Sequence, residues 1–379
     1  MTAPLVIVGT GIAGYGLLRA LRQVDRRMAI CMVGADDAAA YAKFQLPCAL
    51  ARGREAGDLV LATAEQMAHR YDASVLPRTR ALRVERARHV LSTDTGDLAY
   101  GRLVLATGAE PLRPAAIRGS GAGSVLTVGS LAEYAYLRSE LAGRRRVLVL
   151  GGGTSACEFA DNLLRSGCEV TLLEPGDRLL GRHLPGLSCE RVADALHAAG
   201  ARLRLEDGIQ RIDQGVDELE VTTLSGAHLS AEVVIAVLGS TPRVQLARDA
   251  GLDLARGIVV DTSLRTSDAD IHALGECAEM SGRLFTLADD IEAAAHSLAA
   301  ILTGGQARLN WQPRSLRLQI ECCPTVLCEP PAVAGEWHES ATARGVRALF
   351  HDLDGRLRGF VLVGEAVGDQ HQLLGRIGR

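Results

Sequence analysis

The residues with the clearest chemistry are two sets of glycines. Residues 4–14 read PLVIVGTGIAG, which places Gly9, Gly11 and Gly14 at G-x-G-x-x-G spacing between a compact apolar run and the helical pattern Leu17, Leu18, Leu21. Glycines at that spacing let backbone N–H groups at a helix N-terminus face a pyrophosphate, and the third lets strand and helix pack closely. Residues 146–158 repeat the pattern as RVLVLGGGTSACE, with Gly151, Gly153 and Ala156. Alanine serves in the third position because that residue has only to permit close packing.

Each set leads to a second apolar run and then an acid. The run 29–33 is followed by Asp36, 27 residues past Gly9, and the run 169–173 by Glu174, 23 residues past Gly151. A carboxylate in this place accepts hydrogen bonds from a ribose 2′-hydroxyl and repels a 2′-phosphate, so Glu174 favours NADH over NADPH. Asp36 stands a little far along for the same role and also reads as a plain loop aspartate, while Arg178 reads as a solvated arginine. Two complete fingerprints on one chain point to two dinucleotides, one FAD and the other NADH.

The elements that must carry these turns are strand–helix–strand units, and the composition suits them. The chain has 379 residues, 47% apolar and 23% charged, with a mean hydropathy of +0.12, long enough for two or three folded domains. A net charge of −4 gives no global cationic field for nucleic acid or an anionic membrane. The run Leu5–Val8 is too short for a signal-peptide core and no run reaches the length of a spanning helix, so the cytoplasm is the expected home. Nine cysteines show no paired C-x-x-C units, so no metal is expected, and in a reducing compartment Cys157, Cys168 and Cys277 read as packing residues. Lys43 is the only lysine among 41 basic residues.

Three further segments carry a resemblance. YGRLVLATGAEP at 100–111, with Thr107 and Gly108, resembles the strand-and-turn that returns the chain from the FAD domain to the NAD domain in two-dinucleotide flavoproteins. EVVIAVLGSTPRVQLA at 232–247, with Gly239, resembles the segment that leads back. TSDADIHALGECAE at 266–279, with Gly275 and Glu276, resembles the second FAD fingerprint, T-x-x-x-x-I-Y-A-x-G-D. In order and spacing these resemble the pyridine nucleotide–disulfide oxidoreductase superfamily. ADDAAAYAKFQL at 35–46, the long echo at 251–280 and a short tail with a hairpin about Asp354-Gly355 make the chain similar to its rubredoxin reductase branch.

The resemblance implies an α/β fold with two Rossmann-like dinucleotide-binding domains and a small C-terminal α+β domain. The FAD domain would take residues 1–112 and 243–315, the NADH domain 113–242 and the C-terminal domain 316–379. It implies that electrons pass from NADH through flavin to a small acidic carrier, most simply rubredoxin; Arg314 and Arg317, near the expected domain junction, are candidates to help dock such a carrier. Lys43 matches the lysine that the family places against the flavin, with Glu158 as its helix partner, and the two are the expected catalytic residues. Thr286 and Ala288 are expected to meet the flavin through backbone atoms, with Asp289 and Asp290 turned outward. Phe44, Phe285 and Trp311 read equally as flavin shields or as core.

Several positions depart from the family pattern. Glu276 replaces an aspartate at the ribityl site, Phe44 a proline, Pro47 a serine and Gln319 a second lysine. These departures suit a slower, retuned or repurposed flavoprotein. Cys48 stands where single-cysteine NADH oxidases and peroxidases carry a redox thiol, which gives the main rival reading; a ferredoxin reductase is another. The tail is shorter than the dimerisation domain of the oxidase and peroxidase branches. Cys323 and Cys328 flank an extended, apolar stretch and are not expected to pair, and Arg144, Arg145 and Arg146 read as a solvated turn.

Overall fold

The computed structural model describes residues 3–114 and 117–378. It divides into two compact units: Met1–Lys43, Gly57–Glu110 and Ser240–Gln312 form the first, and Phe44–Ala56, Pro111–Gly239 and Pro313–Arg379 the second.

The first unit is built on a parallel five-stranded sheet. Its strands run in the order Ile271–Ala273, Arg102–Leu105, Leu5–Val8, Ile30–Val33, Ser74–Leu76, so the strand that precedes the first glycine set is central. All four residues of Leu5–Val8 are buried, the pattern of a strand covered on both faces. Register follows from pairing Val6 with Cys31 on one side and with Leu103 on the other. One cover is the Ile12–Val24 helix, whose buried stripe of Ala13, Leu17, Leu18 and Leu21 meets the Ala288–Leu302 helix in one core with Leu298 and Ala295. A capping box closes the start of the Ala64–Tyr71 helix: Thr63 accepts from the N–H of Gln66 while the Gln66 side chain accepts from that of Thr63.

The second unit repeats the plan. Val125–Leu126, Val233–Ala236, Arg146–Leu150, Glu169–Leu173 and Arg202–Arg204 form a parallel sheet, again with the strand before the glycines at its centre. An antiparallel meander of Ile209–Gln214, Leu219–Thr223 and His228–Ala231 supplies Ile212, Leu219 and Val221 to a core shared with Leu148, Leu150 and Val234. The same unit holds the C-terminal sheet, five antiparallel strands in the order Leu316–Leu318, Thr325–Cys328, Leu357–Gly364, Gly345–Asp352, Gly335–Thr342. The hairpin expected about Asp354-Gly355 forms there: Gly355 takes φ +76° and its N–H donates to the Asp352 carbonyl at 2.9 Å. Phe360, Leu362 and Val326 pack with Leu373 of the short Gln370–Leu374 helix under this sheet. The α/β class with two dinucleotide-type sheets and a C-terminal α+β segment is the one read from the sequence.

Among the described residues no helix is long and apolar enough to cross a membrane, and no group of His, Cys, Asp and Glu is placed to hold a metal ion. Among the described residues no cysteine is in a disulfide, so Cys323 and Cys328 are not bonded to each other; Cys157 and Cys277 are fully buried, Cys168 only partly.

Candidate functional site

Two cradles, one in each unit, arise where a central strand turns into a helix. In the first, Gly9 has φ +120° and a Cβ there would stand 2.1 Å from the Ala106 carbonyl oxygen, while one on Gly14 would stand 2.0 Å from the Gly9 oxygen. Both positions therefore demand glycine for packing reasons alone. Gly11 is different. A Cβ there meets nothing within 4 Å, and the helix that it caps has no side-chain cap. The first-turn N–H groups of that helix thus face open space beside an unobstructed backbone, which fits a pyrophosphate.

The second cradle has the same division of labour. Gly151, at φ +112°, would clash with the Val237 carbonyl oxygen at 2.5 Å, Ala156 is fully buried, and Gly153 caps its helix with nothing within 4 Å of a Cβ and no side-chain cap. Glu174 lies over this turn: a Cβ on Gly152 would come within 2.8 Å of its Cγ, and its Oε1 accepts the Gly176 N–H at 2.8 Å. The carboxylate is thus set beside the glycine loop, as a ribose-binding acid requires. Asp36 instead closes a turn with Oδ1 accepting the Ala38 N–H at 3.0 Å, on an exposed loop.

Around the first cradle, Thr107 Oγ1 donates to the Arg243 carbonyl at 2.7 Å and Gly108 takes φ +68°. Gly275 takes φ +85°, and a Cβ on it would lie 2.6 Å from the Cβ of Ala13 in the first helical turn. That close approach sets the next residue, Glu276, beside the cradle. Its Oε2 accepts a hydrogen bond from Lys43 Nζ at 3.1 Å, with both side chains half-buried. Thr286 is exposed, Ala288 half-buried, and Asp289 exposed as expected. Asp290 corrects the reading: it is buried, because it shares the helix face of Ala294 and Leu298 one and two turns on. Phe285 is fully buried 4.7 Å from the Trp311 ring, so these two are core; Phe44 is exposed.

In the second unit Glu158 lies one turn into the Thr154–Arg165 helix, and its Oε1 accepts the backbone N–H of Gln319 at 2.8 Å. Burial pushes its carboxyl above the usual range, against the pull of that N–H. The resemblance assigns Glu158 to Lys43; the carboxylate that the structure sets on the Lys43 ammonium is Glu276. One turn past Glu158, the buried Asp161 accepts the N–H groups of Glu321 and Cys322 at 2.9 and 3.2 Å, and Asn162 donates to the Gln319 carbonyl at 3.3 Å. Sequence reasoning missed these two residues, although polar groups at i, i+3 and i+4 on an otherwise apolar helix were a legible sign. Cys48 Sγ lies 3.7 Å from Gln319 Oε1, and burial pushes its thiol up, with Glu158 adding to the effect and Arg52 opposing it. That setting favours the thiol over the nucleophilic thiolate. Gly239 takes φ +97° three residues past the Val233–Ala236 strand, which pairs with the central Arg146–Leu150 strand. Arg144 and Arg146 are engaged by Glu140 and Glu218 at 2.5 and 2.6 Å.

Comparison with known proteins agrees with this geometry. The family described as pyridine nucleotide-disulphide oxidoreductase matches residues 3–299, and the rubredoxin binding C-terminal domain matches residues 309–377. The chain is 35% identical over 374 residues to a rubredoxin-NAD(+) reductase of Alcanivorax borkumensis, covering 98% of this chain and 97% of that one. It is 32% identical to a nitric oxide reductase FlRd-NAD(+) reductase of Vibrio vulnificus, over 99% and 98% of the two chains. A solved ferredoxin reductase for the CYP199A2 system from Rhodopseudomonas palustris superposes with a TM-score of 0.88 at 25% identity, over 97% of this chain and 93% of that one. With two glycine cradles in the expected strand–helix turns and a family match across most of its length, the chain belongs to the pyridine nucleotide-disulphide oxidoreductase family.

Proposed function

We propose that this protein is an NADH-dependent flavoprotein reductase that passes electrons to a small acidic carrier of the rubredoxin type. The observation that carries the reading is the combination, on one chain, of two dinucleotide cradles and a C-terminal segment matching the rubredoxin binding domain at 309–377. FAD and NADH, when bound, supply the hydride and electron chemistry; the protein supplies orientation and charge.

Gly9 and Gly14 shape the turn by close packing so that Gly11 and the first helix meet the FAD pyrophosphate, with Asp36 as the ribose acid, Gly275 and Glu276 beside the ribityl chain, and Thr107 and Gly108 lining the turn between. Thr286 and Ala288 offer backbone atoms to the flavin from the start of their helix. Gly151, Gly153 and Ala156 receive NADH, Glu174 discriminates against a 2′-phosphate, and Gly239 keeps its turn open. Lys43 places a cation at the flavin, and Glu158 serves as the buried acid of the second unit. The FAD domain comprises 1–112 and 243–315, the NADH domain 113–242 and the C-terminal domain 316–379. Nine cysteines with no disulfide among the described residues suit a cytoplasmic home.

The test is an anaerobic titration of the FAD-loaded protein with NADH, followed by addition of oxidised rubredoxin or of a [2Fe–2S] ferredoxin. The expected outcome is loss of the oxidised-flavin absorbance with NADH, not with NADPH, and rapid reduction of rubredoxin. Flavin that NADH cannot bleach would refute the reductase reading, and preferential reduction of ferredoxin would refute the choice of carrier.

A further inference from the structure

The only lysine of the chain is bound to the one residue that departs from the family at the ribityl site. Lys43 ends the first stretch of its unit, in the turn after the Ala40–Tyr41 strand, and Glu276 lies 233 residues later, after the Ile271–Ala273 strand. Their charged atoms meet at 3.1 Å. The position of Glu276 is fixed from behind, because Gly275 backs onto Ala13 with room for no Cβ. From that fixed backbone the length of the side chain decides the contact. Removing one methylene withdraws the carboxylate by about 1.5 Å, the length of a carbon–carbon bond, which takes it beyond ion-pair range of an unmoved ammonium.

We propose that Glu276 is a positioning residue that acts through Lys43. Its extra methylene, relative to an aspartate, lets the carboxylate hold the ammonium at the edge of the FAD cradle, where it partly offsets the positive charge that Lys43 presents to the flavin. The glutamate is then a substitution that tunes the cation rather than a defect in the ribityl site. The two side chains are each about one-third exposed, so the pair is reachable by water and reagents and can be perturbed without opening the core.

This inference rests on the reading that Lys43 faces the flavin, and the experiment separates the two. Because Lys43 is the only lysine, an amine-directed ester labels one side chain besides the terminal amine, and peptide mass spectrometry of the ligand-free protein reads its reactivity directly. Glu276→Asp and Glu276→Gln should each raise Lys43 labelling several-fold. In the FAD-loaded protein, Glu276→Gln should make the flavin easier to reduce by about tenfold in the equilibrium constant against a dye, about 30 mV for a two-electron couple. That shift should shrink by more than half in a Lys43→Met background. Unchanged labelling in both Glu276 variants, or the same shift with and without Lys43, would overturn the proposal. If Lys43→Met alone leaves the flavin potential where it was while labelling still responds to Glu276, it is the placement of Lys43 at the flavin that fails, and the proposal falls with it. Should Glu276→Gln retain no FAD, Glu276→Asp, which keeps a carboxylate for the ribityl hydroxyls, carries the potential measurement instead.

Discussion

The middle glycine of each fingerprint offers a test in which stability and cofactor binding come apart. Gly11 and Gly153 have φ of −80° and −76° with extended ψ, which alanine adopts freely, and a Cβ on either meets nothing within 4 Å. For the chain alone, Gly→Ala loses somewhat under about 1 kcal/mol as an N-cap and regains about 0.4–1 kcal/mol from the restricted unfolded state. The net effect stays within about 0.5 kcal/mol, a shift of roughly 2 °C or less in the melting temperature. With a pyrophosphate lying on the bare backbone, the same methyl overpacks the contact at about 1–3 kcal/mol, which is about 5- to 150-fold in affinity. Gly11→Ala should therefore release FAD at nearly unchanged thermal stability of the ligand-free protein, and Gly153→Ala should weaken NADH while FAD is retained. Gly9→Ala is the control: its Cβ would lie 2.1 Å from the Ala106 oxygen at φ +120°, so that variant should melt early with or without cofactor. Flavin fluorescence on dilution, NADH calorimetry and circular dichroism read the three quantities. Gly11→Ala protein that keeps FAD at full affinity, or that melts as early as Gly9→Ala, would refute the division between packing glycines and a ligand-facing one.

Two further outcomes follow from buried groups. His272 is buried on its strand, and desolvation, with Arg102 and Arg265 nearby, pulls its pKa down to about 4. A base with a depressed folded value stays neutral in the fold while the unfolded chain takes up its proton below about pH 6.5. Its contribution is thus present above pH 6.5 and lost as the pH falls toward 4, on the order of 3 kcal/mol in total. Urea unfolding of His272→Leu should show a shallower loss of stability than the parent between pH 6.5 and 4, and parallel curves would exclude His272 as the group responsible. For Cys48, whose thiol is pushed up by burial, Cys48→Ser should leave NADH-dependent rubredoxin reduction and any peroxide-dependent NADH oxidation unchanged. Loss of peroxide turnover in that variant would restore the single-cysteine reading.

What the sequence made legible was local. The compact apolar runs before each glycine set became the central strands of the two parallel sheets, because a strand buried on both faces shows as an uninterrupted apolar run, as Leu5–Val8 does. The steric need for glycine at Gly9 and Gly151 follows from the turn itself. Pairings set by chain closure were not legible. Nothing near Lys43 announces Glu276, 233 positions away, and nothing near Gln319 announces Glu158. Helix phase explains the error at Asp290: acids in a first turn usually face solvent, yet this one falls on the stripe of Ala294 and Leu298 and is carried inward with it.

Gln319 shows how a departure can change the role of a position. Read against the family it is a lost lysine, one positive charge fewer. In the fold its backbone is held on both sides: its N–H donates to Glu158 and its carbonyl accepts from Asn162, while the N–H groups two and three residues on, those of Glu321 and Cys322, are taken by Asp161. A single face of the Thr154–Arg165 helix thus fixes the strand end that opens the C-terminal sheet, and the same helix presents its N-terminus to the second cradle. Glu158 carries the cost of this arrangement, since burial disfavours its charged form and only the Gln319 N–H relieves it. A lysine at 319 would bring an ammonium to a site where the neutral amide now meets the Cys48 thiol. It would help to keep Glu158 ionised, which the amide side chain does not. The protein therefore retains the acid at this position without a second cation beside it, held by a backbone N–H in place of an ion pair.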